Sequence, residues 1–243
     1  MFSRTKPPFT PDAPLRDDPD APVPRFVSGK ITALREHPRK PGRYAVHVDG
    51  KAVATVNASF IHDARLAVGS DIDEPMGDRL LLAARKLDAF DRAAAALGRR
   101  ARSAHELERW LLQRGFERAD VADAVSRLTE LGALDDSQFA RAFTRSKALT
   151  KGMSRRRLQQ ELSRRGVSRE MADAAIADVM DEESVDERQL LEATARKKWA
   201  VLQGLDPDAA KRRLYGFLAR RGYAGEDVAV VVRKLIAERD AEG

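Results

Sequence analysis

The sequence predicts a mainly α fold: tandem three-helix repeats forming an elongated, curved stack, preceded by a small N-terminal β module and a disordered Pro-rich arm. Three observations carry that expectation. A leucine–arginine–glycine pattern is written three times, and the apolar period is helical from about Pro75 to the end. Ahead of both, an Asp-Gly pair sits between two β-prone runs.

The repeat is the most informative of the three. Leu107, Leu111, Arg114, Gly115 and Phe116 recur as Leu158, Leu162, Arg165, Gly166 and Val167, then as Leu214, Leu218, Arg221, Gly222 and Tyr223. From Leu107 to Leu158 is 51 positions, and from Leu158 to Leu214 is 56. Apolar residues follow each glycine in register: Val121, Val125 and Leu128, then Ala172, Ile176 and Val179, then Val228, Val232 and Leu235. Such self-similarity marks units that bury their apolar faces against their neighbours. A stack of this kind presents surface and is poorly suited to enclosing a reaction centre.

Taken in order, residues 1–24 hold 7 prolines and few large apolar side chains. Proline removes backbone donors and this composition cannot bury a core, so the stretch is expected to be disordered. Residues 25–75 form the small β-rich module. Phe26-Val27 and Ile31 open a strand-like stretch, Pro38 to Gly42 break it, and Tyr44–Val48 and Lys51–Val56 flank Asp49-Gly50. Asp-Gly tolerates positive φ at both turn positions and is a strong hairpin signal. A short helix near Ala58–Leu66 and a Val68–Ile72 segment complete the module, which is small enough to lean on the helices that follow.

Helical repeats are then expected over 76–134, 135–182 and 183–243, with lead helices at roughly 77–100, 135–150 and 185–203. Ser103 with Glu106 matches a capping box at the start of the first middle helix. Ser154 is placed to cap the second, and Asp206-Pro207 the third, with Pro where its missing N–H costs nothing. Each middle helix stops at Arg-Gly.

The 243 residues carry a formal charge of +6 and a pI near 9.7, which favours an acidic partner such as nucleic acid or an acidic protein face. The same excess also serves solubility. Residues 135–180 hold 10 Lys and Arg against 6 Asp and Glu, so the middle repeat is the basic one. No cysteine is present, which excludes disulfides and thiolate metal sites and fits a reducing compartment. No apolar run approaches a membrane span and no signal peptide is evident, so a cytoplasmic protein is expected.

No catalytic constellation is found, and neither an enzyme nor a cofactor is expected. His37, His47, His62 and His105 lack metal-ligand spacing, and the glycines sit singly at turns and helix ends. Asp135-Asp136 opens a helix, where negative charge favours the N-terminus, so a cap outranks an acid–base pair.

The basic clusters are the candidate site. Arg155, Arg156 and Arg157 follow Ser154 in the first turn of a helix, where positive charge opposes the dipole. Local helix stability does not account for them, whereas an anionic partner would. Arg164 and Arg165, with Lys147 and Lys151, extend the patch, and Lys211, Arg212 and Arg213 beside Arg220-Arg221 repeat it. Trp110, Phe116, Phe139, Phe143, Trp199, Phe217 and Tyr223 lie on apolar helical spacings and are expected in the core, not interleaved with the arginines as a stacking platform. Contacts to nucleic acid would then fall on phosphates, salt-sensitive and weak in sequence preference.

The run Arg102-Ser103-x-x-Glu106-Leu107, with Leu111, Gly115 and Leu128, leads into Leu131-Gly132-x-Leu134-Asp135-Asp136-x-x-Phe139-Ala140. With Gly152, Leu158, Leu162 and Gly166 further on, this resembles the RecX family of bacterial recombination regulators over about residues 77–235. The resemblance implies tandem three-helix repeats and binding to the RecA recombinase filament on single-stranded DNA. It also implies inhibition of the RecA ATPase, strand exchange and coprotease activities, with the protein lying in the filament groove across adjacent protomers. Single-stranded DNA, and double-stranded DNA through phosphates, are further expected partners; a monomer is compatible with the short charged ends, and no membrane contact is expected. The competing reading is a direct DNA-binding regulator, because short paired helices ending at glycine mimic helix-turn-helix units.

Overall fold

The computed structural model describes residues 28–242, with side chains given to 239. The Pro-rich arm expected over 1–24, and Phe26-Val27, lie outside the described residues. The described residues divide into two compact units, one of 28–100 with 107–133, the other of 101–106 with 134 onward.

In the first unit, strands β1 (Gly29–Glu36), β2 (Arg43–Val48), β3 (Lys51–Asn57) and β4 (Asp71–Ile72) form one antiparallel sheet in the order β3-β2-β1-β4. The β2–β3 turn falls on Asp49 and Gly50, at φ 47° and 81°, the positive values that this dipeptide allows. Helix α1 (Ala58–Asp63) is capped by Asn57, whose side chain accepts the Phe60 N–H at 2.9 Å. Helix α2 (Glu74–Arg99) completes the module: its Leu80 is fully buried in one cluster with Ile31, Val46, Val56 and Ile72. Arg43 also reaches Asp91 of α2 at 2.8 Å. The sheet therefore does not close a core alone. Helix α4 (Arg118–Glu130) lies along α2, with Lys86 to Asp123 at 2.8 Å and the Arg127 guanidinium 4.6 Å over Phe90.

Helix α3 (Ala104–Leu112) straddles the division, and its first residues belong with the second unit. There follow α5 (Asp136–Lys151), α6 (Arg155–Ser163), α7 (Arg169–Glu182), α8 (Glu187–Leu202), α9 (Pro207–Arg220) and α10 (Glu226–Glu242). Two cores result. Leu158, Leu162, Val167 and Ile176 pack with Ala140 and Ala148 in one; Leu191, Trp199, Leu214, Leu218 and Val232 pack in the other.

Two joints hold this unit in register, and they are built alike. Ser103 Oγ accepts the Glu106 N–H at 3.1 Å, as a cap should, and also donates to the carbonyl of Arg165. Ser154 Oγ accepts the Arg157 N–H at 3.3 Å while its own N–H donates to the carbonyl of Arg221 at 3.0 Å. The Arg-Gly turn of one repeat thus sits on the capped N-terminus of the middle helix of the repeat before it. The next lead helix adds a carboxylate to each: Asp136 accepts the Ala104 N–H at 2.8 Å, and Glu187 the Arg155 N–H at 3.0 Å. These four partners satisfy donors that a helix start otherwise leaves orphaned.

The third repeat departs from the second in one place. Helix α9 runs for 14 residues where α6 runs for 9. Asp206 caps α9, accepting the Ala209 N–H at 3.0 Å, but it lies a full turn upstream of the position equivalent to Ser154. That equivalent is Ala210, buried inside the helix.

Glycine is demanded twice over at the joints. Gly166 (φ 79°) and Gly222 (φ 88°) are left-handed, and a Cβ on either would run into its seat. At Gly166 it meets the Cβ of His105; at Gly222 it meets Ser154 Oγ and comes within 2.7 Å of the Arg157 Cβ. Gly115 (φ 81°) has the same backbone but open space around it. Gly115→Ala is expected to cost about 1–2 kcal/mol, the left-handed penalty alone. Gly166→Ala and Gly222→Ala should cost about 1–3 kcal/mol more through overpacking. Urea unfolding of the three variants tests the order; equal losses would show that the joints are not close-packed.

Candidate partner interface

The second repeat holds the densest basic run, and the structure shows where that charge goes. Arg157 and Arg165 both reach the carboxylate of Glu161, at 2.6 and 2.8 Å, and Arg164 reaches it at 3.3 Å. Arg165 further faces Glu106 at 3.5 Å and lies 4.5 Å over the Phe143 ring. The Arg165 hydrogen bond, with the neighbouring arginine charges, outweighs partial burial and holds the Glu161 carboxyl below its ordinary range. Arg155 is drawn to Glu187, which also caps its backbone.

Local structure therefore accounts for much of the arginine run after all. The dipole conflict expected at Arg155–Arg157 is relieved by Glu187 at the helix end and Glu161 one turn on. Among the described residues no carboxylate pairs with Arg156, Lys147 or Lys151; Lys147 lies 5.7 Å from the Phe143 ring.

The third repeat is different. Lys198 and Leu202 of α8 and Arg212, Arg213, Gly216 and Arg220 of α9, with Ala209, line an open groove of about 620 Å³. No carboxylate lines it, and none pairs with its four cations or with Lys211 among the described residues. Because α9 starts at Pro207, Lys211, Arg212 and Arg213 lie inside the helix and not in its first turn. The dipole argument that singled out Arg155–Arg157 does not extend to them.

The groove lining corresponds, position by position, to residues of the second repeat. One repeat back, Lys198 is Lys147, Arg212 is Arg156, Arg213 is Arg157 and Arg220 is Arg164. The decisive difference is Glu161, whose counterpart is Phe217. Sequence reasoning named Lys147 without following it to Lys198 and left Glu161 unweighed. Glu161 stands four residues from both Arg157 and Arg165, the helical spacing at which opposite charges pair.

The aromatic rings also do more than fill the core. Arg114 lies 3.8 Å over Trp110 and Arg221 lies 3.5 Å over Phe217, each from one turn on. These arginines cover the rings, so Phe217 is not bare to a stacking base. No group of three or more potential metal ligands is found among the described residues, and none of their helices is long and apolar enough to cross a membrane.

The models of the first, second and third three-helix domains of RecX match residues 89–128, 135–176 and 186–232. The chain belongs to the RecX family. It is 36% identical over 143 residues to the regulatory protein RecX of Amycolatopsis mediterranei, covering 59% of this chain and 80% of that one. It is 32% identical over 157 residues to that of Chlorobaculum tepidum, covering 65% and 94%. A crystal structure of a regulatory protein RecX superposes with a TM-score of 0.66 at 19% identity, over 84% of this chain and 98% of that one. RecX from Lactobacillus salivarius superposes at 0.50 and 15%, over 63% and 97%. Those two likenesses concern the fold. This RecX-family chain thus shares the tandem three-helix plan that its residues spell out, behind a small strand module.

The lowered Glu161 carboxyl gives the pair network a defined pH response. Its folded pKa lies below the unfolded value near 4.5, so its stabilisation is fully present above about pH 4.5 and is lost as pH falls through the folded pKa. Thermal unfolding followed from neutral pH downward should show the parent losing stability in that window relative to Glu161→Gln. The two curves should converge at the acid end; a constant gap would mean Glu161 is not ionised in these pairs.

Proposed function

We propose that the protein is a non-enzymatic regulator that binds the RecA filament on single-stranded DNA and inhibits RecA's ATPase, strand-exchange and coprotease activities. It works in the cytoplasm and as a monomer. Its membership of a family of regulatory proteins supports the class. The observation that carries the docking is the basic face shared by repeats 2 and 3, left without carboxylate partners around α9. Inhibition then needs only differential binding: a protein that prefers one filament state, or an end, shifts the assembly equilibrium by that difference.

Electrostatic docking is assigned to Arg156 and Lys147 in repeat 2 and to Lys211, Arg212 and Arg213 in repeat 3. Arg155, Arg157, Arg164 and Arg165 contribute what Glu161 and Glu187 leave them. Reversing all of 155–157 would set three new carboxylates beside Glu161 and Glu187, and a damaged fold would mimic weakened docking. Arg212→Glu with Arg213→Glu avoids that neighbourhood.

The test is RecA ATP hydrolysis on single-stranded DNA with the protein titrated in at fixed salt. Inhibition well below one protein per RecA is expected, and the Arg212→Glu, Arg213→Glu variant should need about tenfold more protein, the scale of removing two charge pairs. No inhibition by the parent, together with tight binding to bare duplex DNA, would replace this reading with a direct DNA-binding regulator.

A further inference from the structure

We infer that the α8–α9 groove is a phosphate-binding site that holds a nucleic-acid backbone, and that its counterpart in the second repeat is masked by Glu161. The inference rests on the proposed filament reading for its setting and on the groove's own residues for its chemistry.

Three features select the ligand. The lining is cationic without a carboxylate, from Lys198, Arg212, Arg213 and Arg220. Three of the four are arginines, whose forked donors match the paired oxygens of a phosphodiester better than a point charge would. Gly216 lies in the lining with no side chain, and a Cβ there would meet only the Arg220 guanidinium, at 3.4 Å, so a backbone can approach closely. The nearby ring, Phe217, is covered by Arg221 at 3.5 Å and approached by Lys198 at 5.5 Å. With no aromatic residue in the lining and Phe217 under a guanidinium, the groove should hold phosphates without regard to base identity.

The second repeat supplies the internal control. Lys147, Arg156, Arg157 and Arg164 occupy the equivalent positions, yet Glu161 already neutralises Arg157 and Arg164, at 2.6 and 3.3 Å. A carboxylate there takes the place a phosphate would fill. Phe217 at the same position of the third repeat leaves Arg213 and Arg220 free for a ligand.

Gly216→Glu is the direct test, because Gly216 is helical, its φ is not positive, and glutamate is the better helix former. Binding of fluorescent oligo(dT), and of a mixed-sequence strand, is measured by anisotropy without RecA across a salt series. The parent should bind both strands alike. Gly216→Glu should weaken them about tenfold or more and flatten the log–log salt slope by about 0.7 for each phosphate that is no longer neutralised. Glu161→Gln should tighten binding several-fold by unmasking the second-repeat set. Unchanged binding by Gly216→Glu overturns the site, and unchanged binding by Glu161→Gln overturns the masking. Polyglutamate displacing the strand at equal charge concentration would overturn the nucleic-acid assignment in favour of an acidic protein segment. Because RecA is absent, failure here leaves the filament reading standing. Loss of strand binding in Gly216→Glu beside a parent that does not inhibit RecA would retire that reading and keep the groove.

Discussion

The second unit depends on one contact made twice: an Arg-Gly turn seated on the N-terminus of a serine-capped helix. Its constraint is geometric before it is energetic. The turn can approach only if the residue after the arginine has no side chain and can adopt a left-handed backbone, as Gly166 and Gly222 do. The serine must then serve two helices. Ser103 and Ser154 each cap their own first turn and bind a carbonyl of the following repeat by hydroxyl or by amide. Both are almost fully buried, so an unmade bond at either would leave a desolvated polar group and cost about 1–3 kcal/mol. Repeat spacing in this unit is set at these points.

Around that contact, the lead and closing helices of each repeat are tied at one recurring place with changing chemistry. Phe90 meets Arg127 through a ring, Arg141 meets Asp178 at 2.6 Å, and Glu192 meets Lys234 at 2.6 Å with the charges exchanged. Position is retained while polarity is not. That is what is expected where exposed pairs contribute only about 0–1 kcal/mol each and any attractive pair suffices. The joints tolerate no such exchange, because they are limited by space.

What was legible in the sequence was local. Asp49-Gly50, Ser103, Ser154, Asp206-Pro207 and the Arg-Gly stops act on their own few residues, so propensity and turn chemistry found them. The cross-repeat partners were not legible in the same way. Of the Asp135-Asp136 pair read as a cap, Asp135 does cap its own helix, accepting the Ser137 and Gln138 N–H groups, but that Asp136 reaches across to the Ala104 N–H at 2.8 Å was not legible. The extra five residues of the third repeat were visible only as a change from 51 to 56. Phe90, Arg141 and Glu192 keep a spacing of 51, which places the insertion after the lead helix; Asp206-Pro207 then lengthens α9 at its start. The candidate site suffered most. Equal runs of arginine read alike, and what separates them is one residue a turn away, Glu161 or Phe217.

That separation goes with a difference in what the two middle helices receive. In the second repeat, Arg157 is part of the seat: its Cβ and N–H lie where a side chain on Gly222 would fall, and its guanidinium is pinned by Glu161. Its counterpart Arg213, in the third repeat, receives no Arg-Gly turn among the described residues. The position equivalent to the receiving serine is Ala210, and the helix runs on through the place where a capped N-terminus would otherwise begin. Freed from the packing that a joint imposes, the same face keeps its arginines without the glutamate that holds them down. Among the described residues, the α9 face is therefore a basic surface that no joint occupies and no carboxylate offsets.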